Sequence, residues 1–122
     1  MSYQEYRDLI LKTARDSIRH GLEQNKPLKC DHSTIPEALL VNGACFVTLE
    51  INHQLRGCIG SLQSHRPLID DISGNAYAAA FSDPRFPSVS RNELDQIDIH
   101  VSILSPSEEM EFKNQQDLLE EY

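Results

Sequence analysis

The sequence predicts a single α+β domain over residues 1–122, and three patterns carry that prediction. Apolar residues recur every three or four positions near the N-terminus, a strand-turn-strand segment covers residues 44–62, and polar and apolar residues alternate strictly from Ile97 to Ile103. A chain of 122 residues is long enough for one hydrophobic core and too short for two ordinary domains. Its 39% hydrophobic and 25% charged residues are the balance of a globular chain, not a disordered one.

Tyr6, Leu9, Ile10, Thr13, Ala14, Ile18 and Leu22 place an amphipathic helix from about Tyr3 to about Gln24, with an apolar stripe suited to capping a sheet. Asn25-Lys26-Pro27 ends it, and residues 29–42 read as an irregular connection broken again at Pro36. Ala44 to Ile51 is rich in aromatic and β-branched residues; Val47, Leu49 and Ile51 face one way, Phe46, Thr48 and Glu50 the other. Asn52-His53 offers a tight turn into a second strand, Gln54–Leu62, because asparagine and, less readily, histidine tolerate positive φ.

Pro67 opens a second helix whose Leu68, Ile69, Ile72, Ala76, Ala79 and Ala80 give a small-residue packing face. Ser82-Asp83-Pro84-Arg85-Phe86-Pro87 cannot continue it, since the proline forces Asp83 extended, and a rigid loop carrying Arg85 follows. Ser90-Arg91-Asn92-Glu93 has capping-box spacing and opens a helical turn. Ile97, Ile99, Val101 and Ile103 then give a strand with one core face and one polar face, stopped by Pro106, and residues 115–122 read as a short acidic helix or frayed tail.

The net charge of −8 is uneven: residues 1–29 carry +2 and the rest −10. That balance speaks against a nucleic-acid backbone as partner. The longest apolar runs are too short to span a bilayer, and no basic-then-apolar leader opens the chain, so the expected location is cytoplasmic. Three cysteines, Cys30, Cys45 and Cys58, leave at least one unpaired, consistent with a reducing compartment.

The densest chemistry lies in Leu55-Arg56-Gly57-Cys58-Ile59-Gly60. On a strand, Arg56 and Cys58 share a face about 7 Å apart, and a guanidinium near a thiol favours the nucleophilic thiolate. Gly57 and Gly60 lack a β-carbon and admit the close approach of a ligand or of another backbone. The plainer reading is a buried cysteine beside a bulge. His53, His65 and His100 are the candidate bases, and spacing alone assigns none of them. Cys30-Asp31-His32 supplies two metal-ligand types without the paired spacing of zinc sites, so no metal site is assigned, and no phosphate-loop pattern occurs.

Together with Asn75-Ala76-Tyr77-Ala78-Ala79-Ala80-Phe81-Ser82-Asp83-Pro84-Arg85-Phe86-Pro87, the six-residue motif resembles the AMMECR domain family, whose microbial members are called AmmeMemoRadiSam system protein A. The resemblance spans most of the chain after Val41. It implies an α+β fold with a largely antiparallel sheet flanked by helices, no settled reaction and no named cofactor. It also implies association with a Memo-like protein and a radical S-adenosylmethionine enzyme. This chain has no clustered three-cysteine iron–sulfur motif and is not that enzyme itself. Family members usually continue well beyond the point matching Tyr122, so the resemblance implies a domain lacking its usual C-terminal part.

Two functional classes follow. In one, the protein is a thiol-dependent enzyme acting on a small anionic substrate, with Cys58 as nucleophile, Arg56 as its activator, Arg85 as an anion clamp, and Gly57 and Gly60 giving access. In the other, it is a non-catalytic binding or scaffold module in which Cys58 fills a core and Arg56 makes a buried ion pair.

Overall fold

A computed structural model describes residues 3–104 and 109–113 of the chain. A short 3-10 turn, Tyr3–Tyr6, leads into α1, Arg7–Gln24, which buries Ile10, Thr13, Ala14, Ser17, Ile18 and Gly21 on one stripe. Asn25 closes α1 in the left-handed conformation (φ 59°), its N–H donating to Gly21 O at 2.9 Å. The connection that follows contains two single 3-10 turns, His32–Thr34 and Glu37–Leu39, and is anchored by fully buried Leu39.

The hairpin is formed by β1, Asn42–Ile51, and β2, Gln54–Gly60. Asn52 and His53 both take positive φ, 53° and 66°, which matches the right-handed twist of the flanking strands and sets Ile51 opposite Gln54. Two-residue β3, Arg66–Pro67, pairs with the start of β1 and delivers the chain into α2, Leu68–Phe81. A capping box on Ser90 and Glu93 opens a six-residue 3-10 helix, Arg91–Gln96, longer than the single turn the spacing predicts. β4, Asp98–Leu104, and β5, Glu109–Lys113, complete an antiparallel sheet in the order β2-β1-β4-β5. β5 is absent from the sequence reading: Glu-Met-Glu-Phe-Lys alternates, but over five residues with three charges the pattern is short and weak. The acidic tail expected at 115–122 lies outside the described residues.

Both helices pack on one face of the sheet, against Cys45, Val47 and Leu49 of β1 and Ile99, Val101 and Ile103 of β4, none more than 1% exposed. α2 lies directly on β1 and β2, and α1 packs over α2 and β4, so the sheet-capping role expected of the first helix is shared. The opposite face carries Thr48 and Glu50 of β1 and Asp98, His100 and Ser102 of β4, all partly exposed. Among the described residues no helix is long and apolar enough to cross a membrane.

Candidate functional site

β2 is an edge strand, and its free edge is closed by the loop after α2. The register slips between Leu49 and Glu50, which pair with Gly57 and Leu55, leaving Arg56 as the extra residue of a bulge. A bulge bends the strand and re-aims the side chain it carries. Arg56 turns toward the 88–93 segment, where Nε and Nη2 donate to the two Glu93 oxygens at 2.9 and 3.0 Å, and Nη2 also reaches Ser88 O at 3.3 Å. The Arg56 side chain is only 12% exposed. Its guanidinium, with the Ser90 N–H, holds the Glu93 carboxyl down at about 2. Arg56 is thus committed to Glu93 and is not the partner of the Cys58 thiol.

Neither glycine of the motif opens space for a ligand. A β-carbon at Gly57 would run into the backbone carbonyl of Ala79 on α2, and one at Gly60 into the Phe46 ring. The close approach that the glycines permit is made by the protein's own helix and by a cross-strand aromatic ring. Here the sequence expectation of ligand access is corrected, and the motif's packing role explains both residues.

Cys58 faces the side of the sheet opposite the two helices. It stands directly opposite Thr48, with Sγ 3.2 Å from Thr48 Oγ1, and is partly exposed. Its backbone N–H, directed out of the sheet edge, donates to Asp83 Oδ2 at 3.0 Å. Asp83 in turn accepts from Arg85: Oδ1 from the Arg85 backbone N–H at 3.0 Å and from Nε at 3.1 Å, Oδ2 from Nη2 at 2.8 Å. Arg85, and next the Cys58 N–H, hold the Asp83 carboxyl far below the ordinary carboxylate range. Arg85 is pushed the other way, chiefly by Asp83 and with a contribution from Cys58. Arg85 is thus joined to the Cys58 backbone through Asp83, and its side chain is 56% exposed while Asp83 beneath it is 2% exposed. Arg85 also lies over the Phe86 ring, 5.4 Å from its centroid.

The antiparallel registers extend this site across the sheet. Thr48 pairs with Cys58 on one side and with His100 on the other, so Cys58, Thr48 and His100 form one lateral row on the face opposite the helices. The other candidate bases are elsewhere: His53 sits in the hairpin turn, and His65 lies in the loop after β2, bonded to Gln63 O at 3.1 Å.

A second polar cluster, unforeseen in the sequence reading, sits inside the fold. Asp71 on α2 is fully buried; Oδ1 accepts from Ser61 Oγ and Arg66 Nε, both at 2.8 Å, and Oδ2 from the Cys45 N–H at 2.9 Å and Asn75 Nδ2 at 3.1 Å. Asn75 Nδ2 also donates to Cys45 O at 2.9 Å. Burial, and then Asp71, push the Cys45 thiol far above its ordinary value, which makes it inert. The available signal was two polar residues one turn apart, Asp71 and Asn75, on an otherwise apolar helix face. On the same first turn of that helix, His32 Nε2 meets Asp70 Oδ2 at 2.8 Å beside Cys30, whose thiol is pushed above its ordinary value by burial and by Asp70. Among the described residues no three His, Cys, Asp or Glu side chains converge to hold a metal.

The AMMECR1 family model matches residues 11–121, nearly the whole chain. The chain belongs to the AMMECR1 family. Curated relatives include a protein from Methanothermobacter thermautotrophicus, 41% identical over 117 residues, covering 96% of this chain and 60% of the relative. A Sulfolobus acidocaldarius protein is 42% identical over 109 residues, covering 86% and 47%. The crystal structure of an uncharacterised Pyrococcus horikoshii protein superposes with a TM-score of 0.77 at 33% identity, covering 84% of this chain and 52% of that one. This AMMECR1 chain thus spans about half of the lengths it matches.

Proposed function

We propose that this AMMECR1 domain acts through Cys58 on a small anionic substrate that Arg85 recruits. The observation that carries the reading is the position of the Cys58 thiol, on the sheet face opposite the helices, hydrogen-bonded to Thr48 at 3.2 Å, with its backbone N–H joined through Asp83 to a half-exposed Arg85. Asp83 fixes Nε and Nη2 of Arg85, which aims the rest of the guanidinium outward as an anion anchor. The thiol serves as nucleophile or covalent anchor.

The test compares two alkylating probes of similar size, anionic iodoacetate and neutral iodoacetamide, at Cys58. Arg85→Gln is expected to lower the iodoacetate rate about tenfold while changing the iodoacetamide rate much less, with Arg85→Lys in between. Equal losses for both probes would remove the anion-recruiting role.

A non-catalytic reading draws on a separate observation: Arg56, Gly57 and Gly60 are all consumed by internal packing and pairing. Under it the motif builds a rigid platform for macromolecular partners, and a Memo-like protein with a radical S-adenosylmethionine enzyme are the partners that the family resemblance proposes. Cys58→Ser separates the two. The thiol reading expects turnover lost with ligand binding kept, and the platform reading expects no turnover in either protein and partner binding retained.

A further inference from the structure

We infer that His100 is the proton acceptor for Cys58 and that the Thr48 hydroxyl carries the proton between them. The inference rests on the thiol reading above and adds to it the base that the motif itself lacks. Three observations place the relay. Cys58 Sγ lies 3.2 Å from Thr48 Oγ1, hydrogen-bonding distance for sulfur. Thr48 is directly opposite both Cys58 and His100, which puts all three side chains on one face in one row. Directly opposed residues of antiparallel strands have β-carbons about 4.5–5.5 Å apart, so an imidazole on His100 reaches the hydroxyl by a rotation of its own side chain.

Cys58 and His100 are separated by two strand spacings, about 9.5 Å between backbones, and the intervening hydroxyl closes that gap. His100 Nε2 is out of contact with solvent. The step balances within the row. The Cys58 S–H bond breaks as Thr48 Oγ1 takes the proton; the Thr48 O–H proton passes to the His100 ring nitrogen. Thiolate and imidazolium result, with threonine unchanged.

The charged groups around this row are Asp83, bonded to the Cys58 N–H, with Arg85 paired to it, and Glu50 and Asp98, which pair with each other one step toward the hairpin turn. Lys113 stands opposite His100 in the β4–β5 register.

The test is the pH–rate profile of Cys58 alkylation by neutral iodoacetamide, resolved from Cys30 and Cys45 by peptide mass spectrometry. It is run on the wild type, His100→Gln, Thr48→Val and Thr48→Ser, each checked by circular dichroism for a native fold. The wild type is expected to show two inflections. His100→Gln and Thr48→Val lose one of them, with the rate at neutral pH falling about tenfold, and Thr48→Ser restores both features. If a variant fails to fold, the His100 ring titration by NMR in Cys58→Ser replaces it, and the relay requires that titration to shift relative to wild type. Profiles that superimpose on the wild type, or an unshifted His100 titration, overturn the relay while leaving a reactive Cys58 in place. A Cys58 that resists alkylation in the native protein overturns relay and thiol reading together.

Discussion

Cys45 and Cys58 sit on neighbouring strands, and the fold gives them opposite fates. Cys45 faces the helices, is fully buried, and has its backbone N–H and C=O taken by Asp71 and Asn75. Cys58 faces away from the helices, touches a threonine hydroxyl, and is joined through Asp83 to a half-exposed arginine. The difference is one of strand parity: residue type is shared, and the face of the sheet decides whether a thiol is sealed or presented. It also separates two kinds of polar cluster. The one around Cys45 is closed on itself and stabilises the fold, whereas the one around Cys58 is open on one side.

The largest effect that sharpens this contrast comes from the closed cluster. Asp71→Ala leaves the Arg66 guanidinium, the Cys45 N–H and Ser61 without their acceptor and is expected to cost about 3 kcal/mol in urea unfolding. Cys58→Ser, on the open side, is expected to change stability by less than about 0.5 kcal/mol. Equal costs would erase the distinction between the clusters.

Next in size is the motif's packing. Gly57→Ala pushes a methyl group into the Ala79 carbonyl, and because backbone cannot rotate away, a loss of about 1–3 kcal/mol is expected. Gly60→Ala meets an aromatic side chain, which can turn, and is expected to cost less. Thermal unfolding of the two variants checks the order.

A smaller effect is pH-dependent. Arg56 lowers Glu93 from its ordinary 4.5 to about 2. A depressed carboxyl contributes stability that is fully present above its unfolded value and is lost as pH falls through the folded one. The Arg56–Glu93 contribution is therefore complete above about pH 4.5 and disappears toward pH 2. Glu93→Gln is expected to lower the melting temperature at pH 7 and to converge with the wild type near pH 2. A constant difference across that range would show that the pair is not what Glu93 contributes.

Much of this architecture was legible in the residues. The period of Ile10, Ala14 and Ile18, the alternation of Ile97 to Ile103, and Asn52-His53 between two β-rich runs are local signals, and the corresponding elements stand where they place them. What escaped was set by tertiary partners. Strict alternation put Arg56 beside Cys58, but the bulge opposite Leu49 and Glu50 redirected it, and its carboxylate partner lies 37 residues away. Gly57 and Gly60 looked accessible because the helix and ring that fill them come from elsewhere in the chain. Arg85 was legible as a held arginine between prolines; that it is tied through Asp83 to the backbone of Cys58 required the loop to fold back on the edge of β2. Asp71 gave only a weak signal, since a buried carboxylate is recognised by the donors around it.

The most direct test of the contrast is native-state alkylation of the intact protein with iodoacetamide, with Cys45 and Cys58 followed separately by peptide mass spectrometry along a urea titration. Cys58 is expected to label without urea, and Cys45 only as the protein unfolds. Protection of both thiols up to the unfolding transition would contradict the account and make Cys58 a second core cysteine.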